Sequence, residues 1–189
     1  MIRIGILGDI GSGKSYVAKN FGFPVFNADS EVGKLYKNNK KVFYKLKKVL
    51  PKHFEKFPIK KEVVSNAILA NNKNLKKIIK IIHFEIQKKM RKFLNNNKNK
   101  NIVILDIPLL LENKINKKKD ILIFIQSKKS EVLKRLNKRP NFNKKLLKKF
   151  KKIQLPLDYK KKRSQFIIKN DFTKRSVIKS INMILNQIK

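Results

Sequence analysis

The chain has 189 residues, 41% of them hydrophobic, which is enough for one domain with a sizeable core. It contains no cysteine, so disulfides, thiolate chemistry and zinc–thiolate centres are excluded. Its 49 Lys and Arg against 12 Asp and Glu give a formal net charge of +37, a value that points first to nucleic acid.

The distribution of that charge argues otherwise. Lysines occur over nearly the whole chain, and Asn and Ile are over-used as well. All of these residue types have A/T-rich codons, so a biased base composition accounts for the charge without selection for a polyanionic partner. What remains is a field that steers anionic ligands and gives non-specific, salt-sensitive adhesion to nucleic acid. Met1-Ile2-Arg3-Ile4 runs straight into a strand pattern, and no apolar run is long enough to span a bilayer. The expected compartment is the cytoplasm, with no membrane contact and no obligate protein partner.

The apolar run of residues 2–7 reads as the first strand, and it delivers Gly8-Asp9-Ile10-Gly11-Ser12-Gly13-Lys14-Ser15. This is the G-x-x-x-x-G-K-S pattern of phosphate-binding loops. Its glycines let successive backbone N–H groups point at phosphate oxygens, and the helix that follows adds its positive end. Lys14 is expected on the β- and γ-phosphates, and the Ser15 hydroxyl on Mg²⁺. A chance match in a lysine-rich chain is the alternative. A strand before the loop and an amphipathic helix after it, with Val17, Ala18 and Phe21 on one face, make that alternative weak.

Phe23-Pro24-Val25-Phe26 reads as a second short strand ending at Asn27-Ala28-Asp29-Ser30. Residues at the carboxyl ends of parallel strands line the ligand crevice, so Asp29 is a candidate catalytic carboxylate. Its competing role is to cap a helix expected to begin near Glu31, although Ser30 could do that alone. From there to residue 95 the pattern is helical, with apolar stripes at three-and-four spacing and no strand signal. An insertion of that kind, residues 31–95, suggests a substrate-binding subdomain. It contains His83, whose pattern alone gives it no special status.

Ile102-Val103-Ile104-Leu105-Asp106 is the strongest strand signal in the chain. An apolar run ending in an acid makes Asp106 the second candidate Mg²⁺ ligand. A tight turn follows over residues 107–112, then a strand over residues 120–125 and a helix carrying Arg135, with Arg139 just beyond. Residues 139–163 are almost wholly polar and basic. They read either as a solvated helical hairpin or, preferably, as a mobile lid that brings cations over the triphosphate and excludes water. Phe166-Ile167-Ile168 is the last strand pattern, before a closing amphipathic helix. The expected fold is α/β: a parallel sheet flanked by helices like that of P-loop nucleotide hydrolases, in one domain with a helical insertion and a helical lid.

Taken together, residues 5–15, Asn27-Ala28-Asp29, His83 with Ile86, Asp106-Ile107-Pro108-Leu109-Leu110 with Glu112, Arg135 with Arg139, Gln154, and Phe166-Ile167-Ile168-Lys169-Asn170 resemble the dephospho-CoA kinase family nearly end to end. The resemblance implies ATP-dependent phosphorylation of the ribose 3′-hydroxyl of dephospho-CoA, with ATP and Mg²⁺. It implies Asp29, Lys14 and Arg139 as catalytic residues; Gly8 through Tyr16, Arg135 and Arg139 as ATP-binding; and Asp29, His83, Pro108 and Leu109 as acceptor-binding. The rivals are another nucleoside or nucleotide kinase of the same fold and a basic nucleic-acid-binding ATPase. Departures from the family pattern are Asp9 for a glycine, Asn27 for the first aspartate of Asp-Ala-Asp, Phe84 for a proline, and Phe150 where the lid usually has an arginine.

Overall fold

The computed structural model describes residues 1–140 and 142–188. In chain order the elements are β1 (Ile2–Gly8), α1 (Lys14–Asn20), β2 (Val25–Asn27), α2 (Ala28–Asn38), α3 (Lys40–Val49), α4 (Lys61–Ala70) and α5 (Asn72–Asn96). There follow β3 (Ile102–Asp106), β4 (Ile121–Gln126), α6 (Lys129–Asn137), α7 (Lys144–Lys152), α8 (Leu157–Lys162), β5 (Phe166–Lys169) and α9 (Lys174–Ile188). They divide into two compact units, one of residues 1–27, 97–143 and 151–189, the other of residues 28–96 and 144–150.

The first unit is built on a sheet in the order β2-β3-β1-β4-β5, every neighbouring pair parallel. A parallel sheet with helices on its faces buries its strands on both sides, which is why β3 and β4 read as unbroken apolar runs rather than alternating ones. Ile4, Ile104, Ile123 and Ile168 are fully buried in a cluster with Val17, Phe21, Val177 and Ile181 from α1 and α9. The register aligns Gly5 with Leu105 and Gly8 with Ile125, so the loop after β1 and the acid ending β3 emerge at the same, carboxyl, end of the strands. This is the α/β fold expected from the sequence.

Two charged pairs inside this unit escaped the sequence reading. Arg3 on β1 is bonded to the buried Asp120 carboxylate at 2.9 Å. Burial pushes the Asp120 carboxyl up, against the Lys117 N–H, the charges of Arg3 and Lys117 and the Arg3 hydrogen bond, which pull it down. Lys160 on α8, only 1% exposed, lies 2.7 Å from Glu112 in the turn after β3. The same Glu112 oxygen accepts the Leu155 N–H at 3.0 Å. The stretch read from sequence as a mobile lid is therefore anchored at this point.

The second unit packs α2, α3 and α4 against the long α5, with Leu35, Val42, Phe43, Leu46, Ile78, Ile82 and Ile86 buried. Its first helix starts at Ala28, not near Glu31, because β2 passes into α2 with no intervening loop. Asp29 and Ser30 thus lie in the first helical turn rather than at a cap. The helical pattern after them is broken by Asn39, whose side chain accepts the Val42 N–H and opens α3. Residues 144–150, assigned from sequence to the lid, belong to this compact unit. Lys149 Nζ explains the attachment: it donates to the Ile68 and Leu69 carbonyls at the end of α4 and to Asn72 Oδ1. These are the carbonyls a helix end leaves without partners, and a cation suits them.

Candidate active site

The loop between β1 and α1 is shaped by its glycines. Gly8 and Gly13 have φ of 145° and 89°, a region costly for other residues. A side-chain carbon at Gly13 would collide with Asn170 Nδ2, and one at Gly8 would lie 2.8 Å from the Ile125 carbonyl oxygen. The loop backbone is therefore packed directly against Asn170 and β4, with no room for a side chain at either glycine. Ser12 is 1% exposed, and its carbonyl accepts from Ser127 Oγ at 2.9 Å and from Asn170 Nδ2 at 2.8 Å. Its buried hydroxyl has no partner among the described residues.

Lys14 curls over the loop and donates to the Gly8 and Asp9 carbonyls at 3.2 and 2.7 Å. Asp9 itself accepts the Ile10 N–H through Oδ1 and faces Lys151 Nζ at 3.3 Å through Oδ2. Tyr16, on the first turn of α1, is exposed.

At the ends of the neighbouring strands lies a compact polar cluster. Asn27, ending β2, pairs in register with Asp106, ending β3. Its Nδ2 donates to the Asp106 carboxylate and reaches Ser15 Oγ at 3.4 Å. The side chains expected to hold a divalent cation are thus joined by one amide. From sequence Asn27 belongs to the Asn-Ala-Asp motif and departs from the family's aspartate; its position between two metal-ligand candidates is visible only once β2 and β3 are paired. Pro108 and Leu109 occupy the turn just after Asp106, both half-buried.

Arg135, near the end of α6, places its guanidinium 4.1 Å from the centre of the Phe172 ring. Phe172 is held by its N–H on Asn170 Oδ1, and Asn170 is the residue that clamps Ser12. Asn170 and Ser127 are site residues that sequence reasoning missed as such. Both act on a residue more than a hundred positions away, and no local pattern announces such a pairing. Arg139 is exposed, with its backbone N–H on the Leu136 carbonyl.

Two predicted residues belong to the other unit. Asp29 is exposed in the first turn of α2. His83 is half-buried on α5 with Nε2 3.4 Å from Gln87 Nε2, and burial lowers its tendency to take up a proton.

Among the described residues there is no group of three or more His, Cys, Asp or Glu that could hold a metal ion by itself. Ser15 and Asp106 fit Mg²⁺ nonetheless: it favours oxygen ligands and is commonly held by one or two protein oxygens with phosphates and water completing its shell.

The dephospho-CoA kinase family model matches residues 2–175. The chain is 33% identical over 190 aligned positions to the dephospho-CoA kinase of Wolbachia sp. subsp. Brugia malayi, covering 98% of this chain and 97% of that one. Among solved structures, the Thermus thermophilus protein TT1252 superposes with a TM-score of 0.80 at 22% identity, over 100% of this chain and 98% of that chain. Dephospho-CoA kinase from Campylobacter jejuni superposes with a TM-score of 0.65 at 21% identity, over 98% and 96%. No described helix is long and apolar enough to cross a membrane.

Proposed function

The chain belongs to the dephospho-CoA kinase family, and from that membership we infer the work of its individual residues. The activity is ATP-dependent phosphorylation of the 3′-hydroxyl of dephospho-CoA, the step that completes coenzyme A. The observation that carries the residue-level reading is the junction of Ser15, Asn27 and Asp106 at the carboxyl ends of adjacent parallel strands, directly beside the glycine loop.

In this reading the loop N–H groups of residues 8–15 bind the nucleotide's phosphates, and Lys14 leaves the Gly8 and Asp9 carbonyls to follow the charge of the transferring group. Arg135, already stacked on Phe172, supplies a flat cationic face beside the loop, and Arg139 adds positive charge. Ser15 and Asp106 would hold Mg²⁺, which would supply positive charge to offset that of the nucleotide's phosphates. Asn27 keeps both oxygens oriented. Asp29 accepts a hydrogen bond from the acceptor hydroxyl and aligns it for in-line attack. Pro108 and Leu109 are assigned to acceptor binding by the likeness to the family, as is His83 on its own unit, and the cationic stretch of residues 139–163 to the exclusion of water.

An ADP-release assay run in parallel with dephospho-CoA, AMP and CMP tests the activity. Turnover with dephospho-CoA and little with the others is expected; preference for AMP or CMP would make the chain a nucleotide kinase. For the metal, Ser15→Ala and Asp106→Asn are each expected to raise the Mg²⁺ concentration needed for half-maximal rate, since the first removes an oxygen ligand and the second a compensating charge. A titration superimposable on wild type would remove that residue from the metal site.

Binding to RNA or DNA is expected to be independent of sequence and to fall steeply with salt, as counterion release requires. A sequence-selective complex that survives high salt, measured by fluorescence anisotropy, would contradict this.

A further inference from the structure

The phosphate-binding loop of this chain carries a carboxylate, Asp9, among the groups that must receive a polyanion. Its charge opposes that of Lys14, whose Nζ lies on the Asp9 carbonyl at 2.7 Å. Without compensation the loop would present one positive and one negative side chain to a triphosphate. The structure supplies the compensation: Lys151 Nζ stands 3.3 Å from Asp9 Oδ2. The side chains are 42% and 21% exposed, so the pair adds little to folding stability. Its consequence lies in the field at the loop.

We propose that Asp9 and Lys151 act as one unit in nucleotide binding, Asp9 holding Lys151 at the phosphate-binding loop and Lys151 serving there as a second binding cation beside Lys14. The inference rests on the assignment of this loop to ATP. The choice of Lys151 over its neighbours follows from what each side chain does. Phe150 carries no charge, and Lys149 is committed to the Ile68 and Leu69 carbonyls and Asn72. Lys151 instead reaches the loop itself. Asp9 is fixed for this purpose, because its Oδ1 is bonded to the Ile10 N–H at 2.7 Å, which leaves Oδ2 for the ammonium. When a triphosphate enters, the ammonium can share its hydrogen bonds between the carboxylate and a phosphate oxygen, and the loop keeps a net positive charge.

The test is a double-mutant cycle read by calorimetric titration of ATP, and separately of adenosine, into wild type, Lys151→Ala, Asp9→Asn and the double variant, with no acceptor present. Asp9→Asn retains an oxygen for the Ile10 N–H while removing the charge. Lys151→Ala is expected to weaken ATP binding about 10- to 100-fold, the scale of one lost charged hydrogen bond. Adenosine binding and Tm should not change. In the Asp9→Asn background the same Lys151→Ala change should cost much less, because no carboxylate is left uncompensated and Lys151 is no longer held.

Wild-type ATP affinity in Lys151→Ala would overturn the proposal. So would an equal loss in both backgrounds, which would make Lys151 independent of Asp9. Failure of the wild-type protein to bind ATP would be a different result, striking at the loop assignment itself.

Discussion

Asp29→Asn is expected to lower kcat by about 10²–10⁴-fold, the range that a positioned base contributes, while leaving the Kd for ATP near its wild-type value. A ribose hydroxyl is a poor nucleophile at neutral pH. A carboxylate that accepts its hydrogen bond fixes the oxygen in line with the phosphorus and can take the proton late in a loose transition state. The substitution preserves the side chain's shape but removes its basicity. Asp29 is exposed in the first turn of α2, and thermal unfolding of the variant beside wild type separates a loss of rate from a loss of fold. Single-turnover rates at saturating substrates, together with equilibrium ATP titration, separate the possibilities. Lost ATP affinity with retained kcat would make Asp29 a nucleotide or metal ligand and not a base.

The second large effect concerns folding. Lys160→Met should destabilise the protein by about 3–5 kcal/mol, because it leaves the Glu112 carboxylate without its ammonium partner in the interior. Glu112 has one oxygen committed to Lys160 and the Leu155 N–H, and its other oxygen is buried with no partner among the described residues. It therefore depends on Lys160 for charge balance. The double variant Glu112→Gln with Lys160→Met removes both charges and should recover much of the loss. Urea unfolding of both variants decides the point: a Lys160→Met protein within 1 kcal/mol of wild type, on the order of ordinary surface substitutions, would mean that water reaches Glu112.

How far the sequence could be read depended on the range of each interaction. β1, the glycine loop and β3 with Asp106 were legible because each is a contiguous pattern, a buried strand passing into the residues that do chemistry. The start of α2 was misjudged because Asp29 and Ser30 are good capping residues, whereas the chain turns into helix directly from β2. The Glu112–Lys160 pair spans the turn after β3 and a distant basic helix, in which one lysine looks like any other. Likewise, nothing in the local sequence distinguishes Lys149, which caps α4, from Lys151, which meets Asp9. The Ser127 and Asn170 clamp on Ser12 is of the same kind. In a chain with 49 basic residues, composition hides the few whose charge is directed at a partner.

The outer strands of the sheet bear on how copies of this chain behave towards one another. β2 has 3 residues and β5 has 4, so each edge offers only a short row of open backbone groups. Ile167 is exposed on β5, but Lys169 ends the strand beside it, and a lysine at an edge discourages pairing with a second sheet. A net charge of +37 adds long-range repulsion between molecules. Of these barriers to edge-to-edge aggregation, strand length does not depend on the medium, whereas the repulsion is screened within about 10 Å at 0.1 M salt. Concentrated protein is therefore best protected from self-association at low ionic strength, the same condition under which stray nucleic acid clings to it most tightly.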